Sequence, residues 1–330
     1  MSPKTRILTQ RDIARLVDLP TAIRVIRSVF IATARGDTRM PPKLYLPLSR
    51  DSDFRAMPAA LRRPAACGIK WVNVHPANPA KGLPSIMAII VLNDPATGVP
   101  LAVMDGLLIT KLRTAAAAAV AAKALARSNS RVVGLVGCGG QADAQVLALA
   151  ELFDLDEVRV WGRAQGEAER FCARLRRRLR VRWSPVAGIK ACVTDADLIV
   201  TMTPSRRPLV MRQWVKSGAH INAVGADAPG KQELDPAILR DALVVVDDHR
   251  QAIHGGEINV PISKKQFSPK QIHATVGDLL LGRKPGRTRS DQITVFDSTG
   301  LATHDVALAH ESYRLALKSR LGKLVQIFQR

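Results

Sequence analysis

The chain has 330 residues, 47% of them apolar and 23% charged, which allows two domains and is typical of folded rather than disordered or fibrous proteins. Its polar N-terminus and the lack of ~20 consecutive apolar residues predict a cytoplasmic protein without membrane association. The net charge of +21 would suit a nucleic-acid partner, but aromatic residues form only 4% of the chain and none lies in the basic run 174–180. We therefore interpret that run as a solvated helix face and expect no nucleic-acid partner.

The first part of the sequence predicts a helix followed by a mostly antiparallel sheet. Apolar residues recur at helical spacing over 20–35. Beyond Gly36, short apolar runs separated by turn residues predict strands at 44–46, 54–57, 69–74, 86–92 and 101–104. The segment 110–126 is rich in alanine, which predicts a helix whose small side chains let a backbone or a flat ligand approach closely.

From residue 131 strands alternate with helices, which is typical of a parallel, doubly wound α/β sheet. Strands are predicted at 131–136, 158–162, 198–201, 221–224, 243–246 and 293–296, and helices at 141–153 and 164–178. A long helical pattern covers 302–329, and we expect it to return to the first domain because the parallel sheet is already complete. We predict a mixed α+β domain at 1–125, completed by the C-terminal helix in 302–330, and a Rossmann domain at 126–301.

A glycine-rich loop follows the strand at 131–136 directly. Its pattern is GxGxxA, in which the glycines permit a tight turn and bring backbone N–H groups up to a pyrophosphate at the helix N-terminus. The strand before it and the helix after it supply the context that this short pattern needs. The loop residues predicted to contact the dinucleotide are Gly137, Gly139, Gly140, Gln141 and Ala142. Thr201, at the end of another strand, is predicted as a further contact.

The end of the next strand bears on the choice between NAD and NADP. An aspartate or glutamate there usually binds the ribose 2′-hydroxyl of NAD. Here the strand ends in Trp161 and Gly162, followed by Arg163, whose guanidinium could pair with a 2′-phosphate. We expect NAD or NADP as cofactor, with NADP favoured; alternatively, Arg163 only covers the adenine.

Cationic side chains interrupt segments that should otherwise be apolar. Lys70 stands inside the apolar run 67–74, Arg55 lies in a short strand, and Arg113 lies in the alanine-rich helix. A charge in such a place is unfavourable unless it faces a polar pocket, so these residues together predict an anion site, for which a carboxylate is the simplest ligand. Lys43 is a fourth candidate, although its position also fits a solvated lysine.

Asp227 follows the predicted strand at 221–224, and ligands bind at the carboxyl ends of strands in open parallel sheets. A carboxylate there could transfer a proton or hold an amine, or it could simply cap the next segment. The histidines lack metal-binding spacing, so we expect no metal. No Ser-His-Asp arrangement stands out either.

Taken together, the motifs described above make the sequence resemble the ornithine cyclodeaminase/μ-crystallin family over nearly its whole length. The order and spacing of several short segments carry the resemblance, and they are 54–58, 68–76, 82–85, 112–116, 137–142 and 225–234.

The resemblance implies a homodimer formed through the first domain, which also binds the substrate. It implies that Arg55, Lys70 and Arg113 hold or polarise the carboxylate and imine region of the substrate, and that Asp227 handles the amine and its protons. It also places Thr114 beside the cofactor, and Ser85 falls where the family often has threonine.

Members of this family share hydride transfer between the substrate α-carbon and nicotinamide. The segment 296–306 resembles the dehydrogenase branch, particularly archaeal alanine dehydrogenases, and would place Ser298 and Thr299 near the nicotinamide. We therefore expect an NAD(P)-dependent enzyme that acts on the C–N centre of a small 2-amino acid, keto acid or imine, as an alanine dehydrogenase or an imine reductase. Ornithine cyclodeamination and a non-catalytic NADP-binding, crystallin-like role stay open as alternatives.

Overall fold

The computed structural model describes residues 3–49 and 52–328, and the chain divides into two compact units. The first comprises Met1–Arg113 with Leu301–Arg330, and the second comprises Thr114–Gly300. The division falls inside helix α3 (Leu107–Leu125), whereas the predicted boundary at 125/126 lies at the end of that helix. The predicted domain limits therefore stay a prediction.

A mixed eight-stranded sheet forms the first unit, with strands in the order β18-β1-β7-β6-β5-β4-β2 and with β3 also paired to β4. The strands are β1 (Thr5–Leu8), β2 (Thr38–Arg39), β3 (Leu44–Pro47), β4 (Asp53–Leu61), β5 (Ala66–Val74), β6 (Ile86–Asn93), β7 (Pro100–Asp105) and β18 (Lys323–Val325). The helices are α1 (Gln10–Leu16), α2 (Leu19–Ala34) and α11 (Ala302–Ser319). Strands β4 to β7 pair antiparallel, as predicted.

The two faces of this sheet differ because successive side chains of a strand point to opposite sides. On β5, Gly68 and Lys70 lie on the face that packs against α11, and a Cβ on Gly68 would lie 3.5 Å from Val306 Cγ2 of that helix. The contact with Val306 would be an ordinary one, but the same Cβ would lie only 2.5 Å from the carbonyl oxygen of Val91 on β6, so a side chain at position 68 would require the neighbouring strand to shift.

The C-terminal helix is shorter than predicted. It ends at Ser319 because Arg320 takes a left-handed conformation with φ of 54°, and Gly322 follows with φ of 88°. The chain then forms β18, which pairs antiparallel with β1. Residues 329–330 of the predicted segment lie outside the described residues.

A parallel eight-stranded sheet forms the second unit, in the order β10-β9-β8-β11-β13-β17-β15-β16. The strands of this sheet are β8 (Val132–Val136), β9 (Glu157–Trp161), β10 (Arg182–Pro185), β11 (Leu198–Thr201), β13 (His220–Ala223), β15 (Leu243–Val246), β16 (Ile272–Thr275) and β17 (Thr294–Asp297). A separate two-stranded sheet is formed by β12 (Arg206–Val210) and β14 (Gln232–Leu234). The helices are α4 (Ala142–Ala150), α5 (Glu167–Leu175), α6 (Ile189–Val193), α7 (Pro236–Asp241), α8 (His249–Gly255), α9 (Asn259–Ser263) and α10 (Val276–Leu280).

The order of these strands reverses direction at β8. The chain runs outward through β9 and β10 on one side and through β11 and β13 on the other, and ligands bind at such a reversal in doubly wound sheets. Buried apolar side chains fill both faces of the sheet. The predicted fold class, a Rossmann sheet with a mixed α+β domain, is confirmed. No helix in the described ranges is both long enough and apolar enough to cross a membrane.

Candidate active site

Lys70 lies on β5 with 1% of its surface exposed. Its Nζ is 2.8 Å from Asp305 Oδ2 and donates a hydrogen bond to Thr110 Oγ1 at 3.3 Å. Asp305 is fully buried on α11, and its Oδ1 accepts a hydrogen bond from Arg113 Nε at 2.9 Å. We call Lys70, Asp305 and Arg113 the charged cluster.

The surroundings of the charged cluster bring the ammonium of Lys70 close to neutral pH. Burial lowers the pKa of Lys70 to about 7, and although the charge of Asp305 raises it, the charges of Arg113 and Lys43 lower it further. Burial would raise the pKa of Asp305, but Arg113 and Lys70 together hold it below its usual value. Lys70 can therefore exchange a proton near pH 7 while Asp305 stays ionised.

Arg55 lies on the same face of the sheet as Lys70. Met57 is the cross-strand partner of Lys70, and Arg55 is two residues from Met57 on β4, so the side chains of Arg55 and Lys70 point to one side. Arg55 is 6% exposed, and its Nε and Nη2 donate to both oxygens of Asp53 at 2.9 and 3.1 Å. The sheet thus brings Arg55 and the charged cluster to a common face.

The other two substrate candidates of this unit are less buried. Lys43 lies close enough to the charged cluster to lower the pKa of Lys70. Ser85 is half-buried just before β6, and its carbonyl accepts a hydrogen bond from the N–H of His75 at 2.7 Å. Their roles in substrate binding stay predictions.

The predicted glycine loop begins directly after β8. Gly137 takes φ of 104°, and its N–H donates to the carbonyl of Trp161 at 3.0 Å. A Cβ on Gly139 or Gly140 would meet open space, and α4 begins at Ala142. The backbone here is therefore open to a pyrophosphate at a helix N-terminus.

A cavity of about 730 Å³ opens beside this loop, within the second unit. The ends of β8, β9 and β11, helix α5 and the segment leading into β12 form its walls. Charged side chains are prominent in its lining, and they are Arg163, Glu167, Arg170, Arg174 and Arg207. The cavity has the place in the fold that the adenosine half of a dinucleotide takes in Rossmann domains.

Several predicted residues follow neighbouring parallel strands at the same edge of the sheet. Thr201 ends β11, Asp227 follows β13, and Ser298 and Thr299 follow β17. The backbone N–H and the hydroxyl of Thr299 donate to Asp247 at 2.7 and 2.9 Å. This edge therefore collects the hydroxyl and carboxyl groups expected near the nicotinamide.

Asp227 itself is partly exposed. Its Oδ1 lies 2.5 Å from Nζ of Lys231, in the loop between β13 and β14. The pairing keeps the carboxylate in a polar setting, and its role in proton transfer stays a prediction.

Two buried glutamates, Glu233 and Glu257, fix the loops at this edge. The carboxylate of Glu233 accepts from the N–H of Thr203 at 2.6 Å and of Gly225 at 3.0 Å. Glu257 accepts from the N–H of Glu233 at 2.8 Å and of Leu234 at 2.6 Å. Glu233 therefore ties a wall of the cavity to the loop that carries Asp227.

Burial raises the pKa of Glu233 to about 7 despite these hydrogen bonds, and burial beside Glu233 raises the pKa of Glu257 well above its usual value. Between pH 4.5 and 7 the folded protein therefore holds a proton on Glu233 that the unfolded chain has lost, so this group's contribution to stability falls as pH rises, by at most about 1.4 kcal/mol per pH unit. His220 and His304 act in the opposite direction, because burial lowers the pKa of each to about 3.

We predict that Glu233→Gln removes this pH dependence. As pH rises from 5 to 7, the unfolding free energy of the natural protein should fall relative to that of the variant. Urea unfolding at several pH values measures this difference. The control is Glu151→Gln, which alters an exposed carboxylate of the same unit. A difference that stays constant with pH would show that Glu233 titrates normally.

The residues of the second unit fit a bound dinucleotide. Among the described residues, Thr114 Oγ1 and Gln141 Oε1 are buried without a hydrogen-bond partner, which is expected where a ligand supplies one. The glycine loop, the cavity and the basic lining suit a phosphate-rich ligand. In residues 3–49 and 52–328, no group of three or more histidines, cysteines or carboxylates could hold a metal ion.

Sequence reasoning gave no role to Asp305, Glu233 or Glu257. Each lies beside buried apolar residues in the sequence, and that was the available signal. A charged residue among apolar neighbours did identify Lys70. Lysine inside an apolar strand is unusual, whereas a carboxylate near the end of a helix or strand is common and therefore did not stand out.

Known proteins share this fold and these segments. A model of the ornithine cyclodeaminase/mu-crystallin family matches residues 3–319. The chain belongs to this family. It is 47% identical to alanine dehydrogenase from Archaeoglobus fulgidus over 99% of both chains.

Two solved structures support the same assignment. An archaeal alanine dehydrogenase dimer with bound NAD superposes with a TM-score of 0.95 at 46% identity and covers 99% of this chain and 100% of its own. A Thermococcus litoralis Delta(1)-pyrroline-2-carboxylate reductase in complex with NADH and L-proline has the same TM-score at 31% identity and covers 97% of this chain and 100% of its own. The predicted family is confirmed, and these relatives carry names of the class of enzyme that the sequence predicts.

Proposed function

We propose that this protein is an NAD(P)-dependent oxidoreductase that acts on the C–N centre of a small 2-amino acid or its imine. The observation that carries the proposal is the charged cluster, in which a buried lysine with a pKa of about 7 is held by Asp305. A group of this kind suits proton exchange with an amine or imine near neutral pH. A bound nicotinamide would accept or supply the hydride.

Substrate binding is assigned to the first unit. Arg55 and Arg113 bind the substrate carboxylate, because guanidinium groups match carboxylates in charge and geometry. Lys70 polarises the reacting C–N bond and exchanges a proton with it, while Lys43 and Ser85 line the substrate. The anion lowers the cost of keeping several cations on one buried face.

The second unit supplies the remaining groups. Asp227 acts as general acid or base toward the amine or the attacking water, and the ammonium of Lys231 pairs with its carboxylate. The dinucleotide is held by the glycine loop and by residues at the carboxyl edge of the sheet, which are Gly137, Gly139, Gly140, Gln141, Ala142, Thr114, Arg163, Thr201, Ser298 and Thr299.

A screen of substrates tests this function. Small 2-keto acids with ammonia or methylamine, and cyclic imines, are each mixed with the protein and NADH or NADPH, and ornithine is mixed with the protein and NAD. Absorbance of the reduced cofactor is followed in every case. We expect oxidation of the cofactor with an imine or with a keto acid plus amine, pyruvate with ammonia first among them. This expectation rests on the 47% identity to an alanine dehydrogenase.

Other results of this screen would assign one of the alternatives. Release of ammonia and formation of proline from ornithine with NAD, without net accumulation of NADH, would identify a cyclodeaminase. Dinucleotide binding without turnover of any substrate would support the non-catalytic role.

The preference between NAD and NADP depends on the groups at the ribose 2′ position. Arg163, for which the sequence predicts a contact with a 2′-phosphate, lines the cavity together with Arg170 and Arg174, and their charges favour such a phosphate. Glu167 lines the same cavity and opposes it. We propose that both dinucleotides bind and that the balance between Arg163 and Glu167 sets their ratio.

A homodimer forms through the sheet face opposite α11. This face exposes the apolar side chains of Leu44 and Leu46 on β3 and of Met87 and Ile89 on β6, with Ile89 49% exposed beside its cross-strand partner Trp71. An apolar surface of this kind marks an interface. The archaeal alanine dehydrogenase to which the chain is similar is itself a dimer.

We predict that Ile89→Lys dissociates the dimer, because the interface would have to bury an unpaired charge. Sedimentation velocity should show the dimer for the natural protein and a monomer for the variant. Leu317→Lys is the control, since Leu317 is 48% exposed on α11. A dimeric Ile89→Lys variant would place the interface elsewhere.

The cytoplasmic location and the lack of a nucleic-acid partner stay predictions.

A further inference from the structure

The end of β9 lacks the acidic residue that usually binds the ribose of NAD, and the structure shows that its space is already filled. A Cβ on Gly162 would lie 2.7 Å from Cys138 Sγ and 2.9 Å from Glu167 Cβ. Both distances are shorter than real Cβ contacts, so a side chain at position 162 would require its neighbours to move.

A carboxylate nevertheless occupies this place. Glu167 Oε2 lies 3.1 Å from the position of a Gly162 Cβ, in the space into which an acid at residue 162 would extend. Glu167 is the first residue of α5 and lines the cavity. Its Oε2 accepts a hydrogen bond from the N–H of Ala164 at 3.0 Å, which fixes the carboxylate at the turn.

We propose that Glu167 supplies, from helix α5, the carboxylate that other Rossmann domains place at the end of the second strand. In this proposal, which rests on the dinucleotide site of the proposed function, Glu167 accepts a hydrogen bond from the ribose 2′-hydroxyl of NAD. Carboxylate oxygens accept more than one hydrogen bond, so the contact with Ala164 is compatible with this one.

The same carboxylate discriminates against NADP. Arg163, Arg170 and Arg174 line the cavity and attract phosphate, and the Arg174 guanidinium lies 5.4 Å from the centre of the Phe171 ring. These cations attract the 2′-phosphate of NADP as well as the pyrophosphate that both dinucleotides carry. Glu167 distinguishes them, since it binds a hydroxyl but repels a 2′-phosphate.

Binding measurements on Glu167→Gln test the proposal without any turnover. Dissociation constants for NAD, NADP and 2′-deoxy-NAD are measured by calorimetry with the full chain, and circular dichroism checks the fold. We expect the variant to bind NAD about tenfold more weakly and NADP no more weakly than before, since a hydrogen bond to a charged group contributes about this factor. For the natural protein, 2′-deoxy-NAD should bind about tenfold more weakly than NAD, and the variant should largely lose this difference.

Glu169→Gln is the matched control, because it removes the same charge from the same helix at an exposed position. We expect it to leave the ratio of the NAD and NADP dissociation constants unchanged. If Glu167→Gln also left this ratio and the 2′-deoxy difference unchanged, the proposal would be overturned. Failure of the natural protein to bind either dinucleotide would instead overturn the proposed function.

Discussion

Lys70→Met should lower kcat/KM for imine reduction by about 10²–10⁴-fold, the usual contribution of a general acid or base. Methionine keeps most of the aliphatic volume of lysine but can neither carry a charge nor exchange a proton. The variant leaves Asp305 paired with Arg113, so the buried carboxylate keeps one counter-charge. Initial rates with the substrate found by the screen measure the effect.

The dissociation constant for the dinucleotide separates a lost proton donor from a damaged fold. It should stay unchanged in Lys70→Met, because the glycine loop and its cavity belong to the second unit. Lys81→Met, which alters an exposed lysine, should retain full activity. Full activity in Lys70→Met would remove Lys70 from the reaction.

The pH profile of the natural protein follows from the same group. With a pKa of about 7, Lys70 is protonated below neutral pH and neutral above it. Reduction of an imine uses the protonated form, so kcat/KM for reduction should fall as pH rises through 7. Oxidation of an amine uses the neutral form and should accelerate over the same range.

Asp305→Asn should destabilise the first unit by about 3–5 kcal/mol, the usual loss when one partner of a buried ion pair is removed. Asp305 is fully buried, and both Lys70 and Arg113 depend on its charge. Urea unfolding and the melting temperature measure the loss. Asp37→Asn is the control, because Asp37 pairs at 3.8 Å with an exposed arginine and should change stability by less than about 0.5 kcal/mol.

Asp305→Asn also has an effect on the pH profile that a purely structural role would not produce. The charge of Asp305 raises the pKa of Lys70, so its removal should move the pH at which reduction declines to values below 7. Unchanged stability together with an unchanged pH profile would show that Asp305 is not the counter-charge of Lys70.

Local sequence was sufficient for the features that depend on neighbouring residues. The glycine loop between a strand and a helix could be recognised because its conformation is encoded within a few residues. Gly137, which takes φ of 104°, is one of them. Lys70 was recognisable because it interrupts an apolar strand. The C-terminal helix was recognised, but its end was not, since the left-handed turn at Arg320 involves a residue type that rarely adopts it.

Residues that meet through space required the structure. Arg113 and Asp305 are 192 residues apart in the chain, so their hydrogen bond could not be deduced from spacing. The glutamates that join the loops after β11 and β13 are a similar case, because their partners are backbone N–H groups without any sequence signature.

The acid missing from the end of the second strand illustrates the difference. The sequence alone determined that Gly162 and Arg163 stand where a carboxylate is usual, and it therefore favoured NADP. Only the tertiary structure decided that the carboxylate of Glu167 occupies that space, because the turn after β9 folds α5 back against Gly162. The sequence determined the family and the kinds of charge that the site contains. The packing of helices on sheets determined which charges meet, because a charge is paired with whatever lies within a few ångströms of it, at any distance along the chain.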